Sequence, residues 1–256
     1  MTSDPAAFEL VPRLLDPGTV SWLQGLADVA YRRDEVAADS NVSFLAEIPL
    51  LPRGRFVVTA SSFSLDAALA DADISRLREA FGAGVARTAA RLPPKRLVLD
   101  VDQSWLRRQY PAPNAPQFHA VHGWHQDGAL GYDFSDAVDI GDRTEGLLDI
   151  VTCWIALTRC GQDAPGLEFV DETVSELLPV DGLNDDEIRR RFHSSTFRQP
   201  ILEAGDAMLL PGGTLHRTHL TEWMQHRRTS VELRLFDADR LPERLLGDRF
   251  DPWLTN

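Results

Sequence analysis

A histidine and an aspartate two positions apart are the residues of this sequence best suited to hold a metal ion. His125 and Asp127 lie in the segment His-Gly-Trp-His-Gln-Asp-Gly. On a β-strand, side chains at i and i+2 point to the same face, so both would reach one point while Gln126 faces away. Two histidines and one carboxylate form the facial triad that holds non-haem iron(II). His216 is the candidate for the second histidine, in a chain with seven.

Length, charge and cysteine content narrow the class of protein. The chain has 256 residues, 43% of them hydrophobic, which suits one large soluble domain. A net charge of −13 argues against nucleic acid or an anionic membrane as partner. Cys153 and Cys160 are too few for a disulfide scaffold, and Cys153 is expected in the core. With neither a signal peptide nor a long apolar run recognised, a cytoplasmic location is expected.

The elements that must position these residues divide into a helical first part and a strand-rich second part. Periodicity predicts helices over residues 20–36 and 73–91, with Asp16 or Thr19 as the N-cap of the first. Strands are predicted over 55–60, 96–107, 119–127, 148–157, 166–170, 207–210 and 228–236, with a helical insertion over 185–192. His216 is expected at the end of the strand that starts at 207, after a turn over 211–213.

This order of elements predicts one α+β domain over residues 1–256. Its helical part covers about 1–94, and its core, a β-sandwich or jelly roll, covers about 95–240. In a jelly roll, strands that are distant in sequence lie side by side. Fold closure can therefore bring His216 to His125 and Asp127.

Several segments occur together in a familiar order. They read WHQDG, DIVTCWIAL, GLEFV and GDAMLLPGGTLH, followed by an arginine-containing strand. This set, over roughly residues 96–237, resembles the phytanoyl-CoA dioxygenase-like family of iron(II)- and 2-oxoglutarate-dependent oxygenases. The resemblance implies a mainly β core of the double-stranded β-helix type, a cupin-like jelly roll with N-terminal helices on its major sheet. It also implies Fe(2+) bound by His125, Asp127 and His216, with 2-oxoglutarate and O2 as cosubstrates.

The distal carboxylate of 2-oxoglutarate needs an arginine, because a guanidinium matches a carboxylate bidentately. In the family that arginine follows the distal histidine by about a dozen residues, where Arg227 and Arg228 stand. Alternation along 228–236 places Arg228 and Ser230 on a polar inward face, opposite an apolar face suited to helices. Arg228 is therefore favoured, with Ser230 as helper. Arg227 is the fallback, since a one-residue shift of register would exchange the faces.

Other polar and aromatic residues are expected around the same cavity. Trp154 matches a cosubstrate-lining tryptophan of the family, although core packing would explain it almost as well. Gln103 and Arg107 lie on a strand that would border the pocket. Glu232 and Arg234 share the inward face of Arg228, where they would contact substrate or neutralise each other as an ion pair.

The resemblance implies an enzyme, a hydroxylase of an aliphatic C–H bond in a small molecule, releasing succinate and CO2. The carboxylate of Asp127 favours oxygenation over halogenation, because halogenases of this architecture have a small residue there. The long acidic stretch 128–147 is expected to form a flap over the site. Two alternatives stay open, a non-redox cupin-like isomerase or hydrolase and a binding protein without turnover. Neither the substrate nor the oligomeric state can be derived from these residues.

Overall fold

The computed structural model describes residues 7–36, 62–64, 69–88, 96–111, 122–129, 147–241 and 250–254. The helices are α1 (Pro17–Val36), α2 (Asp71–Thr88) and α3 (Asp185–Arg191). The strands are β1 (Glu9–Val11), β2 (Ser62–Ser64), β3 (Leu97–Gln109), β4 (His125–Gln126), β5 (Ile150–Ala156), β6 (Gly166–Val170), β7 (Phe197–Arg198), β8 (Ala207–Pro211), β9 (Leu215–His219), β10 (Arg228–Asp237) and β11 (Phe250–Leu254).

The helices begin where their capping residues predict. The Asp16 carboxylate accepts the backbone N–H groups of Gly18 (2.9 Å) and Thr19 (3.1 Å), so Asp16 caps α1. Pro17 occupies the first helical position, where its missing N–H is not needed. The Asn184 side chain caps α3 by accepting from the Glu187 N–H at 3.1 Å. All three predicted helices are confirmed among the described residues, with first residues shifted by up to three positions.

The strands form two antiparallel sheets with long-range pairings. The larger sheet has seven strands in the order β1-β8-β5-β10-β3-β11, with β2 also paired to β3. The smaller sheet has the order β4-β9-β6-β7. Neighbouring strands are mostly far apart in sequence, so the pairing of distant strands, rather than local hairpins, gathers the site residues. The described part of the chain is therefore mainly antiparallel β with few helices, as predicted.

Three buried apolar clusters hold these elements together among the described residues, and the third packs Ile188 of α3 against Val170 and Leu215 of the smaller sheet. The first joins the inner faces of α1 and α2, including Leu23, Leu77 and Phe81, to one face of the larger sheet, including Val231 and Leu233. The second lies between the sheets, where buried members of the larger sheet meet Leu167 and Phe169 of the smaller. The predicted packing of helices on the larger sheet is confirmed. Cys153 belongs to the first cluster, as expected.

Two strand predictions near the site are wrong in detail. The segment predicted as strand 119–127 is extended only at His125–Gln126 among its described residues, and Asp127 opens a 3-10 turn, Asp127–Ala129. The cause is tertiary: the Gly128 N–H donates to the Gly212 carbonyl at 2.8 Å, and a Cβ at Gly128 would lie 2.9 Å from that oxygen. His216 lies on a separate strand, β9, beyond the 211–213 turn.

Two other predictions fall outside the described residues. They are the strand over 55–60 and all but the ends of the expected flap over 128–147. Among the described helices, none has the length and apolar character that crossing a membrane would require.

Candidate metal centre

The pairing of β4 with β9 sets the two histidines opposite each other. His125 and His216 are direct partners across this antiparallel pair, and their ring centroids are 4.2 Å apart. Directly opposed residues project from the same face of a sheet, so both imidazoles enter one space. Asp127 reaches this space from the 3-10 turn, and the ligand atoms of the three residues lie within 4.8 Å of one another. The predicted His-Asp-His cluster is thus assembled, although not by strand alternation.

Backbone carbonyls orient both rings for metal binding. Nδ1 of His125 lies 2.7 Å from the Gly123 carbonyl, and Nδ1 of His216 lies 2.9 Å from the Thr214 carbonyl. Because a carbonyl can only accept, each Nδ1 carries the proton and each Nε2 keeps a free lone pair. These Nε2 atoms face the Asp127 carboxylate at 3.8 and 3.9 Å. Such outer hydrogen bonds are how proteins set the tautomer of a metal-binding histidine.

The electrostatics of the cluster suit a divalent cation. Burial alone would raise the pKa of Asp127, but Arg234, His216 and His125 together hold it well below its usual range. Burial, and next the neighbouring His216, lowers the pKa of His125 to about 4 against the opposing effect of Asp127. At neutral pH the site therefore offers an ionised carboxylate and a neutral imidazole. Both are the protonation states that metal binding requires.

A second layer of buried charge surrounds Asp127. Arg234 Nη2 lies 3.0 Å from Asp127 Oδ1 and 3.5 Å from Glu232 Oε2. Glu232 Oε1 lies 3.4 Å from Arg107 Nη1 and accepts a hydrogen bond from Trp154 Nε1 at 3.2 Å. Burial would raise the pKa of Glu232, but Arg107 and Arg234 lower it below the usual value. The ion pair expected between Glu232 and Arg234 is therefore present, within a larger network.

Arg228 is a fully buried cation, and no carboxylate among the described residues forms an ion pair with it. Its Nη1 donates to the Gly166 carbonyl at 3.1 Å, and its guanidinium carbon lies 5.1 Å from the Trp154 ring centroid. Burial lowers its pKa to about 10, so it stays charged at neutral pH. Among the described residues, Arg228 Nε and the Ser230 hydroxyl have no hydrogen-bond partner. Buried donors of this kind need an acceptor, and a buried cation needs an anion.

Arg227 and Gln103 lie apart from this network. Half of the Arg227 side chain is exposed, and its Nη2 lies 3.6 Å from Asp28 Oδ1, so Arg227 forms a surface ion pair. Gln103 lies in the bulged part of β3, where its backbone N–H donates to Asp100 Oδ1 at 3.1 Å. None of the contacts among described residues joins Gln103 to the metal cluster or to Arg228.

An outer cluster braces β4 and β9 from the side away from the metal. Asp185 of α3 accepts hydrogen bonds from Trp124 Nε1 (3.0 Å) and Arg217 Nη1 (2.6 Å). Trp124 and Arg217 each neighbour a metal-binding histidine in sequence and so project from the opposite face. Gln126 also faces away, as predicted, and its amide nitrogen donates to the Gly213 carbonyl at 3.2 Å.

Sequence reasoning missed the contact between Arg234 and Asp127, the outer cluster around Asp185 and the proximity of His122 to His125. His122 Nε2 is buried without a described hydrogen-bond partner, and its ring centroid lies 5.5 Å from that of His125. Charged residues at alternate positions of an otherwise apolar β10 were a signal that these side chains share one buried face. Nothing local pointed to Asp185, because its partners are at least 32 positions away.

Comparison with known proteins was informative only at the level of structure. The sequence matches no protein-family profile and no curated protein. The crystal structure of EctD from S. alaskensis with bound Fe has a TM-score of 0.60 at 16% identity, covering 94% of this chain and 76% of that one. The non-heme alpha ketoglutarate dependent epimerase SnoN from nogalamycin biosynthesis has a TM-score of 0.55 at 20% identity, covering 91% and 78%.

HygX from Streptomyces hygroscopicus, solved with nickel and 2-oxoglutarate, has a TM-score of 0.54 at 15% identity and covers 92% of this chain and 84% of that one. This chain has the fold of these enzymes. At identities this low the likeness speaks for fold alone, and function must be argued from the site.

Proposed function

We propose that this protein is an iron(II)- and 2-oxoglutarate-dependent oxygenase with a double-stranded β-helix core. The observation that carries the proposal is the convergence of His125, Asp127 and His216, whose ligand atoms all lie within 4.8 Å of one another. Two imidazoles and one carboxylate on one side of an ion leave positions open for a chelating cosubstrate and O2. Resemblance to the phytanoyl-CoA dioxygenase-like family agrees with this site but rests on sequence motifs alone.

The buried cation at Arg228 supports 2-oxoglutarate as the cosubstrate. A dicarboxylate that chelates the metal at one end presents its other carboxylate away from the metal, where an arginine is needed. Arg228 is fully buried on the same strand face as Ser230, and both have donors that no described group satisfies. Trp154 lies against the guanidinium and would form a wall of this pocket. Gln103 is kept as a more distant candidate on the bordering strand.

Iron(II) with bound 2-oxoglutarate supplies oxidation of an aliphatic C–H bond by O2, which yields the hydroxylated product, succinate and CO2. The chain itself holds the metal, anchors the cosubstrate and keeps the charged groups out of water. Asp127 and His216 are buried, whereas a fifth of the His125 side chain is exposed, so ligands would enter on the His125 side. Because Asp127 contributes a carboxylate to the cluster, which favours oxygenation over halogenation, hydroxylation is the outcome that we propose.

The test is O2-dependent turnover of 2-oxoglutarate. Purified protein, loaded anaerobically with iron(II) and 2-oxoglutarate, should form succinate and CO2 when O2 is admitted. His216→Ala and Asp127→Ala should lose both this turnover and tight binding of Mn(II). His226→Ala is the matched control, because His226 is largely exposed and lies 3.8 Å from Asp163 rather than at the metal cluster.

Two results would argue against the proposal. Retention of succinate formation in both ligand variants would exclude the assigned triad. Binding of metal and 2-oxoglutarate by the wild-type protein, without any O2-dependent CO2 release, would favour the non-redox cupin-like or the binding alternative.

A further inference from the structure

Arg234 has buried N–H groups that the described protein does not satisfy. Arginine carries five N–H donors, and the Nη2 pair of Arg234 is directed at Asp127 and Glu232. Its Nε and Nη1 atoms are buried, and neither has a hydrogen-bond partner among the described residues. Leaving buried donors unpaired costs free energy, so acceptor atoms of a ligand are expected beside them.

A second arginine stands on the other side of Glu232. Arg107 on β3 is the direct partner of Ser230 on β10, and its Nη1 lies 3.4 Å from Glu232 Oε1. Its Nε is also buried without a described partner. Two guanidinium groups thus share one carboxylate, and each keeps donors that point elsewhere. The unpaired donors of both guanidinium groups are therefore available to the acceptor atoms of a ligand.

The charge of the whole cavity leads to the same conclusion. Among the described residues, Arg107 and Arg234 balance Asp127 and Glu232 in the ion-paired network, and the buried Arg228 adds one positive charge. A divalent metal ion and the dianion of 2-oxoglutarate cancel each other. Counted over these five described residues, the loaded site keeps one positive charge, which is costly unless an anion accompanies it.

The unpaired donors of Arg107 and Arg234 are separate from those of Arg228, which would anchor 2-oxoglutarate. Arg228 and Arg234 lie six positions apart on β10, which corresponds to about 20 Å between their Cα atoms on an extended strand. Arg234 contacts the metal ligand Asp127, whereas Arg228 contacts Gly166 and Trp154. One carboxylate cannot satisfy both arginines, so the cavity has two anion-binding positions.

We propose that Arg234 and Arg107, which flank Glu232, form the subsite for a carboxylate group of the organic substrate. This inference rests on the proposed function and adds a substrate class to it, small molecules with one free carboxylate. Glu232 holds the two guanidinium groups in place, and Trp154 in turn donates a hydrogen bond to Glu232. Because Arg234 also touches Asp127, a carboxylate bound there would lie close to the metal and present its neighbouring carbon atoms for oxidation.

The test compares acids with their amides in the anaerobic complex of the protein with iron(II) and saturating 2-oxoglutarate. The probes are aliphatic monocarboxylic acids from acetate to octanoate and the corresponding primary amides. Binding is followed by the change that each probe causes in the visible charge-transfer band of the iron-bound cosubstrate. We expect at least one acid to bind about tenfold or more tightly than its amide, since loss of one charge removes one partner of a buried pair.

Three variants assign that preference to residues. Arg234→Gln and Arg107→Gln should each reduce the acid-to-amide ratio to near one, while the affinity for 2-oxoglutarate changes less than about threefold. Arg107 makes no described contact with a metal ligand, so its variant remains informative if Arg234→Gln weakens metal binding. Arg227→Gln removes a surface arginine that pairs with Asp28 and should leave the ratio unchanged.

The proposal is overturned if acids and amides bind alike, if no acid binds, or if the preference survives in both variants. A large loss of 2-oxoglutarate affinity in Arg234→Gln would instead assign Arg234 to the cosubstrate. If the charge-transfer band never forms, the proposed function fails. The probes are then titrated calorimetrically into the Mn(II)-loaded protein, where a preference for acids that requires both arginines would preserve the subsite.

Discussion

Substituting glutamine for Arg228 should weaken the binding of 2-oxoglutarate while leaving metal binding intact. The change removes a charge and most of the N–H donors but keeps a side chain of similar width. Arg228 is completely buried and has no described contact with His125, Asp127 or His216. Its loss should therefore act at the distal end of the cosubstrate and not at the metal.

The size of the effect follows from the burial of this pair. Removing one partner of a buried, hydrogen-bonded charge pair costs about 2–5 kcal/mol. We expect the lower part of that range, about 2–3 kcal/mol, because chelation of the metal and the Ser230 hydroxyl would still hold 2-oxoglutarate. This corresponds to a rise of about 30- to 150-fold in the dissociation constant.

Calorimetric titration of 2-oxoglutarate into the Mn(II)-loaded protein measures that constant directly. A second readout is the rise in Tm that saturating 2-oxoglutarate produces, which should shrink in Arg228→Gln because ligand stabilisation depends on affinity. Arg227→Gln is the matched control, with the same chemical change one position earlier on a half-exposed side chain near Asp28. We expect less than about a twofold change there.

Two outcomes would refute this reasoning. If Arg227→Gln carries the large effect and Arg228→Gln does not, the inward face of β10 has been assigned to the wrong residues. If Arg228→Gln weakens Mn(II) binding as much as 2-oxoglutarate binding, Arg228 supports the structure of the whole site and does not anchor the cosubstrate.

Three further changes probe other parts of the structure. Phe81→Ala should lower the free energy of unfolding by about 3–5 kcal/mol in denaturant titrations, because Phe81 is completely buried between α2 and the larger sheet. Glu232→Gln should make the metal-free protein less sensitive to acid. The pKa of Glu232 is lowered in the folded state, so its stabilisation is present above about pH 4.5 and is lost as pH falls through the folded pKa. Asp185→Ala should weaken Mn(II) binding by about three- to tenfold, because it removes the hydrogen-bond acceptor that Trp124 and Arg217 share beside the two histidines.

Each of these changes has its own control or opposing result. Val29→Ala, at a partly exposed position of α1, should change the free energy of unfolding by less than about 0.5 kcal/mol. If Phe81→Ala causes a change as small as that of Val29→Ala, the assigned core is contradicted. If the free energy of unfolding falls with pH below 4.5 as steeply in Glu232→Gln as in the wild-type protein, the pKa of Glu232 is not lowered by folding as inferred. Asp186→Ala removes the next carboxylate of the same helical turn and should leave Mn(II) binding unaffected.

Local pattern was sufficient to predict the three described helices and the strands β3, β5, β6, β8 and β10. The caps and apolar spacing of α1 and α2, and the β-branched run of β5, depend on neighbours in sequence. Alternation along β10 likewise separated Arg228 and Ser230 from Val231 and Leu233, because side chains on a strand change face at every residue. Such features follow from covalent geometry and need no knowledge of the partner strand.

Tertiary structure alone decided how the site residues meet. The register that opposes His125 to His216, the contact between Arg234 and Asp127, and the brace from Asp185 all join segments far apart in the chain. Even the position of Asp127 was decided this way, since packing of Gly128 against Gly212 turns the chain out of its strand. Residue types and their spacing specify which chemistry is available. The distances between ligand atoms depend on the pairing of distant strands, which no local preference encodes.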